Sequence, residues 1–284
     1  MTHAQHPIVS VVLPFFNAEK TLERSIRSIL NQTFCDFELL LVNNNSTDES
    51  NNIAWLLAAE DARIQLLTET IQGVTFAANA GNDLAVGKYI ARMDADDISY
   101  PTRLQKQLEF LESNPSVVAC GVQVEIIDAQ NRSTSTRSFP QSATSCHDYL
   151  MLTSPILHPT LMARASVYKK IGYTAKYKTA EDWDLYFKLL KFGQLQNLPD
   201  TLYSYRQSFG SNGFKNIKKA FILITKIRLQ AIKNGYQPAW LMLLSNLVQA
   251  LVVFLLPEKL VFRLFSLWRT SKNATVAALI TQPA

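Results

Sequence analysis

Tyr89-Ile90-Ala91-Arg92-Met93-Asp94-Ala95-Asp96-Asp97 decides how this chain is read. A short strand-like run, Tyr89 to Met93, stops at three carboxylates within four residues. Like charges this close disfavour one another's ionisation. A divalent cation removes that repulsion, because Mg²⁺ and Mn²⁺ take carboxylate oxygens and typically share them with substrate phosphates. In open α/β sheets the ligand lies outside the carboxyl ends of the strands, which is where these acids fall. A plainer reading stands beside this one. Asp97-Ile98-Ser99 precedes a helix at Pro101, so the acids could equally form a surface turn or a helix cap.

Upstream, strand and helix alternate. Residues 8–13 are continuous and β-branched, the pattern of a fully buried strand ended by Pro14. Leu22, Ile26, Ile29 and Leu30 repeat at helical spacing over 19–32. A second buried strand covers 37–42, and 43–48 is a loop and cap before a helix over 49–60. A third strand is expected over 64–67, then a helix over 76–86 closed by Gly87, then the strand that ends at Asp94. Four such alternations argue a parallel sheet with helices on both faces.

Downstream, 117–127 reads as a strand with Gly121 inside it, and 131–145 as a polar loop. A short helix is expected over 146–152, a strand over 161–163, and helices over 164–171 and 180–192 that stop at Gly172 and Gly193.

Of the 284 residues, 48% are hydrophobic and 18% charged, enough to bury a real core. The net charge of +5 hides an asymmetry: residues 1–205 carry 17 Lys/Arg and 22 Asp/Glu, residues 206–284 carry 11 Lys/Arg and Glu258 as their one acid. A basic tail on an acidic body points to an anionic partner, a membrane surface or a nucleic acid. Residues 215–233 read as a basic helix, 234–257 hold no charge, and 259–269 form a basic amphipathic pattern. Ser245, Asn246 and Gln249 interrupt the uncharged run, and polar groups are costly in hydrocarbon. A helical hairpin in the membrane interface is therefore expected, with Trp240, Phe254, Phe265 and Trp268 inserted; a helical subdomain packed on the body is the alternative. Its cations alternate with large apolar residues instead of forming a polar groove, which argues against nucleic acid. Cys35, Cys120 and Cys146 show neither metal spacing nor a disulfide framework, and residues 1–7 lack the basic start of a signal peptide. The expected setting is reduced and cytoplasmic, at the inner face of the cell membrane.

The loops after the strands carry the chemistry. A nucleotide needs an aromatic to stack the base, a polar side chain to read its edge and a metal for the diphosphate; Phe16, Asn44 and Asp96 can fill these roles, although Phe16 could be core and Asn44 could only shape a turn. Glu181-Asp182 is a helix cap unless the fold brings it opposite the acids, where it becomes a general base. His158 alone is more often a structural hydrogen-bonder, and Arg206 is either a surface residue or a phosphate ligand.

The ordered set resembles a known family. Val9-Ser10-Val11-Val12-Leu13-Pro14-Phe15-Phe16-Asn17, Ser25-Ile26-Arg27-Ser28-Ile29-Leu30-Asn31-Gln32-Thr33, Asn45-Ser46-Thr47-Asp48, residues 87–97, His158-Pro159-Thr160 and Ala180-Glu181-Asp182-Trp183-Asp184-Leu185 follow the order found in family-2 inverting glycosyltransferases of the GT-A fold. The resemblance covers roughly residues 7–210. It implies a GT-A mixed α/β sheet with a C-terminal helical extension, divided as a nucleotide-sugar half (1–115), an acceptor half (116–214) and a tail (215–284). It implies a divalent metal, Mn²⁺ or Mg²⁺, at Asp96 with Asp94, and Asp182 as catalytic base beside Glu181. Pro14, Phe16, Asn17, Asn44 and Asn79 would bind the donor, with Asp94 and Arg206 near its phosphates. The implied reaction moves a sugar from a nucleotide-sugar, a UDP-sugar first, to a hydroxyl of a glycan or lipid-linked acceptor in surface polysaccharide synthesis such as lipopolysaccharide or capsule. A polyprenyl-phosphate acceptor and a non-catalytic sugar-nucleotide binder are the alternatives. Two departures stand out: the family usually has Asp where this chain has Asn43-Asn44, and often Arg where it has Ala78.

Overall fold

Continuous apolar runs with no polar face become strands covered on both sides, and that is how the first half folds in the computed structural model, which describes residues 6–177, 179–207, 217–257, 260, 261 and 264. The elements run β1 (Val9–Phe15), α1 (Leu22–Leu30), β2 (Phe37–Asn43), α2 (Ser50–Glu60), β3 (Ile64–Thr68), α3 (Val74–Leu84), β4 (Tyr89–Arg92), β5 (Ile98–Ser99) and α4 (Arg103–Ser113). They continue with β6 (Val117–Ile127), β7 (Ser133–Arg137), α5 (Ala143–Tyr149), a 3₁₀ turn (His158–Thr160), β8 (Met162–Arg164), α6 (Ala165–Ile171), α7 (Glu181–Leu189), β9 (Gln194–Arg206), α8 (Ile217–Lys233) and α9 (Trp240–Leu255).

The strands form one mixed sheet ordered β3-β2-β1-β4-β8-β6-β9-β5, with β7 on β6. The four N-terminal strands are parallel, as their spacing predicts. β8 then runs antiparallel to both β4 and β6, joining the two halves through one sheet. Alternate residues of each strand feed opposite layers. Val9, Val11 and Leu13 pack with Leu22, Ile26 and Leu57, whereas Val12, Leu40 and Val42 pack with Ala77 and Ala78 of α3. Gly81 lets α3 lie close on the sheet, since a Cβ there would stand 2.5 Å from the Val12 side chain.

Several elements depart from the sequence pattern. β1 continues through Pro14, which faces the side where β4 has ended, so its missing N–H leaves no partner stranded: Met93 N donates to Val12 O, the last bond of that ladder. α3 ends at Leu84 with Ala85 as its cap, not at Gly87. Gly87 instead lies against β1, where a Cβ would meet Ser10 N at 2.6 Å. The polar stretch 131–145 contains β7, an exposed edge strand without apolar alternation. β9 was invisible in the pattern because Pro199 and Asp200 interrupt it; the ladder with β6 shifts register there, pairing Gly121 with Asn197 but Gln123 with Thr201.

The tail forms α8 and α9, and no helix among the described residues is long and apolar enough to cross a membrane. Asn246 donates to Met151 O (2.6 Å) and accepts from Arg228, and Gln249 donates to Leu152 O (3.3 Å). Asn246 and Gln249 of the uncharged run thus face the body, while Ser245 donates to Leu241 O of its own helix. Most of the expected helix over 259–269, with Phe265 and Trp268, lies outside the described residues.

Candidate functional site

The chain winds from β1 to β2 to β3 in one direction, then returns to place β4 on the other side of β1. The crevice outside the carboxyl ends at that reversal is where doubly wound sheets bind ligands. Its walls are the loops after β1 (Phe16, Asn17), β2 (Asn44, Asn45) and β4 (Asp94 to Asp97), three of the segments singled out in the sequence.

The acidic loop is held from two sides. From α1, Thr21 Oγ1 donates to Ala95 O (2.9 Å) and Ser25 Oγ to Asp97 O (2.7 Å). From β9, Tyr203 Oη donates to Asp97 Oδ2 (2.9 Å) and the Arg206 main-chain N to Asp97 Oδ1 (2.8 Å). Beneath it, fully buried Arg103 donates to Arg92 O (2.7 Å) and Pro159 O (3.2 Å). The three acids are therefore not equivalent. Asp97 is wholly buried, and burial, with the charges of Asp96 and Asp94, holds its carboxyl well above the usual carboxylate range. It pins the loop. Asp94 forms an ion pair with Arg92 Nη2 (3.0 Å). Asp96 reaches solvent, has no ion pair among the described residues, and is pushed up to about 6 by desolvation and then by the charge of Asp94.

Across the crevice, Glu181 and Asp182 open α7. Glu181 is pushed up to about 8, first by burial and then by Asp182, and it also feels Arg92 and Asp94. Its Oε2 is buried without a partner among the described residues, as are Nε and Nη1 of Arg92. Burial also pushes Asp182 up, to about 6, while its Oδ1 accepts from Trp183 N (2.9 Å). Asp94 and Glu181, distant in sequence, thus share one electrostatic neighbourhood with Arg92, which feels the charge of both.

Other expected residues take more local tasks. Phe16 is 50% exposed, so it is not core and offers a free aromatic face at the crevice. Pro14 is buried within β1. Asn17 adopts a positive φ of 48° and its Oδ1 accepts from Thr47 N (2.8 Å). Asn44 donates to Glu69 O and Ile71 O and accepts from Gly73 N (2.7 Å), which shapes the loop after β3 and leaves no amide hydrogen for a base. Asn79 pairs with the main chain of Tyr173 through both its groups (3.0 and 2.8 Å), so it positions that residue instead of facing the crevice freely. Arg206 is not a surface residue free to move: its Nε donates to Asp96 O (2.7 Å) and its Nη1 to Asp128 O (2.7 Å). His158 is bonded through Nε2 to Tyr173 Oη (2.6 Å), and burial followed by the Arg92 charge holds it neutral, well below the usual range.

Arg92, Arg103 and Tyr203 were not singled out from sequence. The signal was there for Arg92, a cation inside a buried strand two residues before the first acid; nothing in the sequence marks Tyr203.

Cations fit the acidic loop chemically, because Asp96 is a carboxylate with raised pKa beside a second carboxylate and no paired cation. No group of three or more His, Cys, Asp or Glu side chains disposed for a metal occurs among the described residues.

Residues 10–172 match the family model "Glycosyl transferase family 2". An uncharacterised glycosyltransferase of Haemophilus influenzae is 32% identical over 211 residues, covering 70% of this chain and 65% of that protein. S. aureus TarS 1-349 in complex with UDP-GlcNAc superposes with a TM-score of 0.63 at 20% identity, over 78% of this chain and 65% of that one. The mannosyltransferase PcManGT from Pyrobaculum calidifontis, in complex with GDP-Man and Mn²⁺, superposes with a TM-score of 0.63 at 18% identity, over 99% of this chain and 77% of that one. The chain spans just under two thirds of the Haemophilus protein and of TarS 1-349.

Proposed function

The chain belongs to glycosyl transferase family 2 and has the GT-A fold, and from that premise we propose that it moves a sugar, with inversion, from a UDP-sugar to a hydroxyl of a glycan or lipid-linked acceptor in cell-surface polysaccharide synthesis. The observation that supports this reading is that Arg92, ion-paired with Asp94 after β4, also acts on the charge of Glu181, which opens α7 beside Asp182.

Asp182 takes the proton of the acceptor hydroxyl. The acceptor oxygen then forms a bond to the anomeric carbon on the face opposite the diphosphate, and the bond from that carbon to the diphosphate oxygen breaks. A base with a pKa near 6 is ionised at neutral pH yet still basic enough to accept the proton as the bond forms. Asp96 and Asp94 are the residues that would hold a divalent cation, which supplies charge stabilisation to the departing nucleoside diphosphate. Exposed Phe16 offers the face on which the base stacks, and Asn44 acts by fixing the loop 69–73 that closes the pocket. Arg92 holds Asp94 in place and keeps a positive charge under Glu181.

A panel of nucleotide sugars, incubated with the protein and Mn²⁺ or with chelator, tests the proposal. Binding and slow hydrolysis of one UDP-sugar, lost on chelation, is the expected result. A protein that binds no nucleotide sugar with Mn²⁺ present overturns it.

A further inference from the structure

Among the described residues, the helical hairpin has one face without a protein partner. On α9, Trp240, Leu244, Leu247, Val248, Leu251 and Leu255 are between 49% and 75% exposed. At 3.6 residues per turn they fall on one stripe about 100° wide. The opposite side of the same helix carries Asn246, Gln249 and fully buried Val253, which meet the body. α9 is thus amphipathic in an inverted sense: Asn246 and Gln249 are inward and its large apolar residues are bare. Large exposed apolar patches mark interaction surfaces.

Charge says what covers it. On α8 the exposed residues Lys219, Ile222, Lys226, Leu229 and Lys233 also lie on one stripe, cations and apolar residues in turn. Residues 206–284 carry 11 Lys/Arg against Glu258, a net of +10. A second copy of this chain would bring two such cationic regions together. An anionic bilayer surface takes both features, the cations at headgroup level and the apolar stripe below it. The sixteen residues of α9 span about 24 Å, less than the roughly 30 Å of a hydrocarbon core, which suits a helix lying in the interface.

The hairpin is also tied to the catalytic helix. The Arg228 guanidinium lies 4.6 Å over the ring of Trp183, the residue after Asp182, and the Tyr236 ring packs edge-on against Phe187 of α7 at 4.9 Å. We propose that the bare faces of α8 and α9 dock this protein on the surface of an anionic lipid bilayer, holding α7 at a fixed height above the headgroups. The inference uses none of the residues assigned to sugar transfer, so each can fail without the other.

The test is flotation of the full chain with vesicles of phosphatidylethanolamine and phosphatidylglycerol, against vesicles in which phosphatidylcholine replaces the phosphatidylglycerol. The expected result is recovery with the anionic vesicles only. Leu247→Gln with Leu251→Gln should lower partitioning more than tenfold, and Lys226→Gln with Lys233→Gln should lower it about fivefold per lysine. Both pairs should keep the parent melting temperature and donor turnover, which separates lost docking from lost folding. Equal recovery with neutral vesicles, unchanged partitioning of the variants, or a dimer in sedimentation equilibrium that the Leu247 and Leu251 changes convert to monomer would each overturn the proposal.

Discussion

The crevice at the end of β4 and the hairpin of α8 and α9 break opposite rules. In the crevice the apolar groups other than Phe16 are largely covered, while polar groups have no partner among the described residues: Glu181 Oε2, two nitrogens of Arg92, and the carboxylate of Asp96, which has no ion pair there. In the hairpin the polar groups are satisfied, with Arg228 bonded to Leu150 O and Asn246 and Asn246 to Met151 O, while the apolar side chains stand bare. A fold that satisfies itself nearly everywhere else keeps its deficits where something must bind. An electrostatic deficit calls for a charged substrate, and an uncovered apolar stripe calls for an apolar phase.

The strongest way to break this contrast is Asp182→Asn. Removing a general base while keeping its shape should lower transfer by about 10²–10⁴-fold, with donor binding unchanged by calorimetry. Retained turnover would leave the unpaired acids of α7 without a catalytic meaning. In the parent protein kcat/KM should fall tenfold for each unit of pH lowered below about 6, because a protonated Asp182 cannot accept the acceptor proton.

Asp96→Ala is next. It removes a group expected to meet the cation, so donor affinity measured with Mn²⁺ should drop by about 10–100-fold, while the weak affinity measured with chelator should stay the same. An equal loss under both conditions would place Asp96 in the scaffold with Asp97.

That distinction between neighbouring acids shows what the sequence can and cannot disclose. The alternation of buried strands and helices up to the strand before Asp94 was legible because parallel strands covered on both faces are continuous apolar runs. The site segments were legible as an ordered set. Partners were not: nothing in the sequence says that Asp97 meets Tyr203 and the main chain of Arg206, or that Asn44 turns its amide onto the loop after β3 instead of a base. β7 and β9 escaped for another reason. One is a Ser/Thr edge strand with no buried face, and the other is cut by Pro199 at a register shift, so neither carries a clean period of two. The polar residues inside the uncharged tail were weighed as obstacles to membrane insertion; the bonds of Asn246 to Met151 O and of Gln249 to Leu152 O show that these two seat α9 on the body.

The hairpin side of the contrast can be broken at Asn246. Asn246→Ala removes the acceptor of buried Arg228 and two donations to main-chain carbonyls, and should destabilise the protein by about 2–3 kcal/mol. Chemical denaturation measures it. A neutral substitution would mean that the hairpin is not seated by its polar face.

Glu181→Gln gives the smallest effect and the sharpest sign. Glu181 has a folded pKa of about 8 against an ordinary value of 4.5, so the folded state favours its protonated form. Its contribution to stability is therefore fully present below about 4.5 and is lost as pH rises through about 8. Gln keeps the shape of the protonated acid and cannot ionise, so the variant should match the parent near pH 4 to 5 and exceed it above pH about 8, by on the order of 1–2 kcal/mol or about 3 °C in Tm. A gain of the same size at both pH values would mean that shape or packing, not ionisation, separates the two side chains. A gain confined to high pH would show that the crevice keeps an acid whose charge weakens the fold, as expected where an arrangement is maintained for chemistry at some expense of stability.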